Sequence, residues 1–162
     1  MTSRSPQIVL LGQIRSSLNL ITQVIEKCPQ RYWFHSRNEW SLSWALYHVI
    51  ETLDFYLRED PRGMEWGDRI GIKWDSQTQD EIQNGKSQIT KDFLADFLLE
   101  IEEKASQTLK SVTDIELLSQ DGFKWFETRL EKYIYAIRHT VFHIGECNKA
   151  LRDKNSPRIE WQ

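Results

Sequence analysis

Apolar side chains recur at spacings of three and four residues along four long stretches of the chain that are poor in glycine and proline. This period is that of an amphipathic α-helix, so the pattern predicts four helices, over residues 6–28, 41–58, 90–112 and 127–153. The second stretch, SLSWALYHVIETLDFYLR, is apolar over more than half of its circumference. We therefore expect this second helix to lie at the centre of the fold.

Residue types at the ends of these stretches support the predicted boundaries. Pro6 suits a first helical turn, and Ser41 and Thr90 are of the types that cap helix N-termini. The predicted inward face of the first helix consists of Val9, Leu10, Ile14, Leu18, Ile21 and Ile25. That of the fourth helix consists of Leu130, Ile134, Ile137, Val141, Ile144 and Leu151. Gly145, in the middle of the fourth helix, costs about 1 kcal/mol relative to alanine, and we expect it to admit close packing of a neighbouring helix.

Two irregular segments separate the later helices. Residues 59–88 read as a polar connection with several glycines, and residues 113–125 as a second one with one short turn of helix. A connection as long as the first is uncommon unless it crosses the fold or covers a site. The sequence therefore predicts an all-α protein, a four-helix bundle with a long crossover connection between helices 2 and 3 that leaves these two helices parallel.

Length and composition narrow the class of protein. A chain of 162 residues predicts a single domain over residues 1–162 with a core of its own. The 21 basic and 24 acidic side chains give a net charge of −3 without a basic run, so we expect no nucleic-acid partner. We also expect no membrane span, because no window approaches 18 consecutive apolar residues, and a cytoplasmic location, because the first residues lack a signal-peptide pattern. Cys28 and Cys147 are too few for a disulfide framework.

The histidines carry the clearest chemical signal. His139 and His143 are four residues apart in the fourth helix, so their side chains share one face. This spacing lets two imidazoles bind one metal ion, although hydrogen-bonded core histidines give the same pattern. A third histidine, His48, lies in the middle of the central second helix. Because bundle sites are built from facing helices, we predict an open metal site of three histidines, a ligand set typical of catalytic metals.

Several other residues are candidates for a role beside these histidines. Two carboxylates could orient an imidazole or carry a proton: Glu51, one turn after His48, and Glu146, three residues after His143. The alternative is that each lies on a solvated helix face. Cys147 lies on the same helix face as the histidines. It could be a further metal ligand or a thiol near the site, or it could be only a small buried side chain. His35 is expected at the surface. The aromatic residues in helical register with the histidines are Trp44, Phe55, Tyr135 and Phe142.

Two segments resemble a known family. WSLSWALYHVIETLDFYL (40–57) has an aromatic residue, a histidine and then an apolar stretch, and HTVFHIGECNKALRD (139–153) has two histidines, a glycine and a Leu-Arg near the helix end. In these motifs, in their order and separation, and in the closing SPRIEW segment, the chain resembles the DinB/YfiT-like superfamily of bacterial four-helix proteins. It departs from the common pattern at Glu146, where a glutamine often follows the glycine.

The resemblance implies that His48, His139 and His143 bind a divalent metal ion, nickel or zinc, in a crossover bundle that is often a homodimer. It further implies a metal-dependent enzyme with a small-molecule substrate. Characterised relatives are thiol transferases and isomerases that use low-molecular-weight thiols as cosubstrates, and others are regarded as metal-dependent hydrolases. Thiol transfer and hydrolysis both remain open. The competing hypothesis is a non-catalytic stress-response or ligand-binding bundle in which the metal is structural or absent.

Overall fold

The computed structural model describes residues 5–35, 40–75 and 77–161, and all regular secondary structure in these ranges is helical. A 3₁₀ helix spans Asp68–Ile70. The α-helices are α1 (Pro6–Lys27), α2 (Gln30–Trp33), α3 (Leu42–Tyr56), α4 (Gln79–Ser87), α5 (Lys91–Ser111), α6 (Asp114–Leu117) and α7 (Arg129–Asp153). The predicted all-α class is confirmed.

The four long helices, α1, α3, α5 and α7, are those that the apolar pattern predicts, and side-chain caps set their first turns. Ser41 Oγ accepts a hydrogen bond from the backbone N–H of Trp44, and Thr90 Oγ1 accepts one from that of Phe93, both at 3.1 Å. Each bond satisfies an N–H that has no partner within the helix. The predicted caps are confirmed, and the helix bounds agree with the predicted ones to within two residues.

Helix α4 lies in the 59–88 connection, which the sequence indicated to be irregular, and the short helix α2 lies between the first two predicted helices. Helix α4 begins at a capping box, in which the Thr78 side chain and the Glu81 carboxylate each accept a backbone N–H of the other residue. Ile82 is its one buried large apolar side chain. Because a single apolar position shows no helical period, the expectation of an irregular connection over residues 59–88 missed this helix. The short turn expected in the second connection is present as α6.

Helix α3 packs against α5 and α7, and α1 packs against the same two helices. Most residues of α3 are buried, in agreement with the prediction that this helix, apolar over more than half of its circumference, lies at the centre of the fold. Fully or almost fully buried side chains on the four long helices include Ile14, Ile21, Leu46, Ile50, Phe97 and Leu151. The core therefore lies between these helices, and the contact of α3 with α7 brings the two histidine-bearing segments together.

The inward faces of α1 and α7 differ in part from the predicted ones. Val9 is 51% exposed and Ile134 is 49% exposed, so both point to solvent. On α7 the buried positions are instead Lys132, Tyr133, Ala136, Thr140, Ile144, Cys147 and Leu151. Because Lys132 and Thr140 occupy buried positions, the spacing of apolar residues alone does not identify the buried face of α7. The expected close packing at Gly145 is also wrong, because no described residue, apart from the adjoining backbone of α7, has an atom within 4 Å of the position that a Cβ would take there.

Helix α1 is long and apolar enough to cross a membrane if length and composition alone are considered, and it is the one such helix in the described part of the chain. Half of its most apolar 18-residue window is buried inside the protein. The helix packs against α5 and α7. Because a core helix of a soluble protein can have the same length and composition, these properties do not show whether α1 crosses a membrane.

Candidate metal centre

Three histidines from two packed helices meet at the contact between α3 and α7. His48 lies in the middle of α3, and His139 and His143 are one turn apart on α7. One ring nitrogen of each lies within 4.8 Å of one ring nitrogen of the others. The ring centroids of the α7 pair are 4.6 Å apart, and each lies 5.2–5.3 Å from the ring of His48. This cluster could hold a metal ion, because its nitrogens converge from opposite sides of one small space.

The donor set fits a divalent transition metal. Imidazole nitrogen suits zinc, nickel, copper and iron, and three protein ligands leave coordination positions open for other molecules. Nδ1 of His139 is buried and makes no hydrogen bond to any described residue. A buried polar atom without a partner is destabilising, so this nitrogen favours the binding of a metal ion or a polar molecule beside it.

Burial and mutual proximity keep the histidines in the form that binds metals. Burial, with the neighbouring His143 and His48, lowers the pKa of His139 to about 4. Burial, with His143, also lowers the pKa of His48. Both imidazoles are therefore neutral at pH 7, and a neutral imidazole is the form with a lone pair available for a metal.

Glu146 is hydrogen-bonded to one of these histidines. Its Oε2 lies 2.7 Å from Nδ1 of His143. A carboxylate only accepts hydrogen bonds, so this contact requires the proton on Nδ1 and leaves the lone pair on Nε2. The structure thus places Glu146 where it can orient His143 and select its tautomer, and orienting an imidazole is one of the roles considered for this residue from the sequence.

Glu51, the other carboxylate considered, has different partners. Its Oε1 accepts hydrogen bonds from Tyr47 Oη and from the backbone N–H of Gly67, both at 2.7 Å. The residue is 4% exposed, and burial raises its pKa in spite of these two bonds. Glu51 therefore ties α3 to the connection after it, and the structure joins it to this connection instead of to His48.

Two of the four aromatic residues in register with the histidines contact them. The ring of Tyr135 lies 6.2 Å from that of His139 and nearly parallel to it, and the ring of Phe142 lies 5.4 Å from that of the next histidine along α7. The remaining two, Trp44 and Phe55, contact other aromatic side chains. The walls around the cluster are thus partly aromatic.

A cleft of about 810 Å³ adjoins the cluster and includes His143 in its wall. Cys147 also lines the cleft, is 2% exposed and has a pKa raised to about 12, first by burial and then by Glu146 and Cys28. At neutral pH this residue is a thiol and not a thiolate, so it is a weak nucleophile. Its placement agrees with the small buried side chain considered from the sequence. His35 is exposed and also lines the cleft.

Trp40 is the residue of this site that the sequence reasoning missed. It is 53% exposed, and its ring lies 5.6 Å from that of His48, edge-on, and 6.4 Å from that of His143, with only 10° between the two planes. The residue directly precedes the N-cap of α3 and so lies outside every apolar period. In the sequence, the one indication of its place in the site was that Trp40 precedes His48 by about two helical turns.

No protein-family model matches the chain, and no curated protein matches it. The resemblance of the two histidine segments to the DinB/YfiT-like superfamily therefore stays a prediction. Since function is a property of sites more than of folds, the histidine cluster and the adjoining cleft are the features from which a function follows.

Proposed function

We propose that the protein is a metal-dependent enzyme of the DinB/YfiT-like superfamily in which His48, His139 and His143 bind a divalent ion, nickel or zinc. The observation that carries this proposal is the convergence of three imidazole nitrogens to within 4.8 Å of one another. The substrate is a small molecule, and the reaction is thiol transfer, with a low-molecular-weight thiol as cosubstrate, or hydrolysis.

The roles of the surrounding residues follow from their contacts. A divalent ion supplies Lewis acidity, which lowers the pKa of a water molecule or thiol that it binds. His48 and His139 offer neutral nitrogens because burial lowers their pKa values. Glu146 holds the proton on Nδ1 of His143 and so directs Nε2 away from itself. The ring of Trp40 lies beside two of the three imidazole rings, those of His48 and His143.

The proposal includes the finer architecture of the family. In it, the four long helices form one bundle, and the segment between α3 and α5 is the crossover connection. The contacts of α1 and α3 with both α5 and α7 support this arrangement. We further propose that the enzyme is a cytoplasmic homodimer. Light scattering on the purified protein tests the oligomeric state.

Metal analysis of protein purified without a histidine tag tests the site. We expect about one equivalent of a divalent metal per chain in the wild type and little in His48→Ala and His143→Ala. His35→Ala is the matched control, because His35 is the one histidine outside the cluster. Circular dichroism of each variant shows whether the helices are retained.

The same variants separate the possible outcomes. Metal content that is equal in the wild type and both cluster variants, or lost equally in His35→Ala, would sink the proposal. With metal bound, consumption of a thiol in the presence of chloro-aromatic or epoxide electrophiles indicates transfer, and ester or amide cleavage indicates hydrolysis. Loss of helicity on metal removal, with neither activity, favours the non-catalytic bundle instead.

A further inference from the structure

We propose that the cleft beside the histidine cluster binds a small molecule that carries a planar aromatic ring, with the ring packed against Trp40 and a polar head group directed to the cluster. This inference rests on the proposed function for the role of the head group. The ring-binding part rests on the cleft alone.

The cleft has the size and the position of a substrate site. Its volume of about 810 Å³ lies within the range of 300–1,000 Å³ that is usual for small-molecule pockets. His143 belongs both to the wall of this cleft and to the three-histidine cluster. A ligand in the cleft can therefore reach the nitrogens of the cluster without a change of the fold.

Two aromatic rings line the cleft, and one of them, that of Trp40, lies beside the cluster. Trp40 is 53% exposed, and its plane is within 10° of that of His143. Tyr32 lines the cleft as well, and Lys154 lies over its ring at 4.6 Å from the centroid. A half-exposed indole beside a parallel imidazole offers an apolar face to a flat ring, and aromatic pairs are favourable beyond the area that they bury.

Part of the cleft lining is apolar and favours an apolar group of the ligand. Four lining residues, Leu42, Ala45, Cys147 and Ala150, carry no strong hydrogen-bonding group in their side chains, and we call them the floor. Burial of unpaired hydroxyl groups against such a surface is unfavourable, so a sugar fits less well than an aromatic compound.

The carboxylates along the lining already have partners. Glu146 is hydrogen-bonded to His143, and Asp153 forms a 2.6 Å ion pair with Lys149. Lys149 thus offsets the charge of Asp153, and a neutral imidazole occupies one oxygen of Glu146. Lys154 also lines the cleft, and its ammonium group lies over the ring of Tyr32. Because these charged groups already have partners, the apolar part of the lining is left for an uncharged ring.

Two hydroxamic acids with the same metal-binding head group test the proposal by calorimetry on the metal-loaded protein. One, 2-naphthohydroxamic acid, carries a flat ring, and the other, acetohydroxamic acid, carries a methyl group. We expect the naphthyl compound to bind at least tenfold more tightly to the wild type. In Trp40→Ala we expect the affinity ratio of the two compounds to fall to less than threefold.

Trp125→Ala is the matched control, because Trp125 is 58% exposed and does not line the cleft. It should retain the full preference for the naphthyl compound. Ala150→Phe, which fills the floor, should abolish the preference without removing Trp40. Equal affinities of the two compounds for the wild type, or an equal loss in Trp40→Ala and Trp125→Ala, would overturn the proposal.

A ring without a metal-binding group separates this proposal from the metal site. Binding of 2-naphthol to the chelator-treated protein does not depend on the metal. We expect it to be saturable in the wild type and in Trp125→Ala, and to weaken at least tenfold in Trp40→Ala. If the purified protein holds no metal and 2-naphthol still binds in this pattern, the metal proposal fails and the cleft proposal stands. Absence of saturable 2-naphthol binding overturns the cleft proposal whatever the metal content.

Discussion

Oε2 of Glu146 lies 2.7 Å from Nδ1 of His143, so that an exposed carboxylate is hydrogen-bonded to a member of the half-buried histidine cluster. Outer partners of this kind fix the orientation of a ligating imidazole and raise its basicity. We predict that Glu146→Ala weakens metal binding by about 10- to 100-fold. Glu146→Gln should weaken it less, because the amide oxygen still accepts the Nδ1 proton. Competition titration against a zinc chelator measures both.

Glu103→Ala serves as the control for this prediction. Glu103 also accepts a side-chain hydrogen bond from its own helix, from Gln107 at 2.7 Å, but it lies on α5. Metal affinity should not change in this variant. An unchanged affinity in Glu146→Ala would show that the hydrogen bond to His143 has no part in binding.

A second prediction concerns the pH dependence that Glu51 confers on stability. Burial raises the pKa of this carboxyl above its ordinary value of 4.5. Folding therefore favours its protonated form, and its contribution to stability is lost as the pH rises from 4.5 through the folded-state pKa. We predict that Glu51→Gln, which keeps the acceptor oxygen, becomes more stable relative to the wild type between pH 4.5 and pH 7. Thermal melts of both proteins at a series of pH values measure this difference.

Truncation of Glu51 should have the opposite effect. In Glu51→Ala the hydroxyl of Tyr47 and the backbone N–H of Gly67 lose their acceptor. Each buried donor without a partner costs about 1–3 kcal/mol, so this variant should be less stable than the wild type at every pH. A Glu51→Gln variant whose melting temperature follows that of the wild type at all pH values contradicts the proposed titration.

A third prediction concerns the buried ion pair between Lys132 and Asp121. The lysine side chain is 1% exposed and that of the aspartate 4%, and Nζ also donates to the backbone carbonyl of Arg58 at 2.7 Å. Lys132→Met leaves the carboxylate buried without its partner. We predict a loss of about 3–5 kcal/mol in the free energy of unfolding, to be measured by urea denaturation.

The exposed pair of Lys149 and Asp153 is the control for the buried one. It has an N–O distance of 2.6 Å, and its side chains are 65% and 61% exposed. Lys149→Met should cost less than about 1 kcal/mol, because water screens the charges. Similar losses in the two lysine variants would argue against a stabilising role for the buried pair.

A fourth prediction compares two glycines. Gly67 has a φ of +84°, and a Cβ there would lie 2.8 Å from the Cβ of Ile72. Gly67→Ala should lower the free energy of unfolding by about 1–3 kcal/mol. Gly145 lies within α7 and meets nothing within 4 Å, so Gly145→Ala should raise it by up to about 1 kcal/mol. Urea denaturation of the two variants decides; a destabilised Gly145→Ala would mean that another molecule packs there.

The amino-acid sequence by itself determined what depends on neighbours along the chain. The positions of α1, α3, α5 and α7 follow from apolar periods, and their first turns follow from caps such as Ser41 and Thr90. The common face of His139 and His143 follows from helical spacing alone. These features need only local backbone geometry, and for that reason they could be predicted.

The tertiary structure decided which faces meet and which polar groups find partners. It brought the ring centroids of His48 and His143 to 5.2 Å from each other and the ring of Trp40 beside the cluster. It also placed Glu51 where its carboxylate accepts hydrogen bonds from Tyr47 and Gly67. It also turned Lys132 inward and Ile134 outward, against the apolar pattern. The physical reason is that the choice of the buried face of α7 depends on long-range packing and on a buried ion pair, and neither appears in the local spacing of apolar residues.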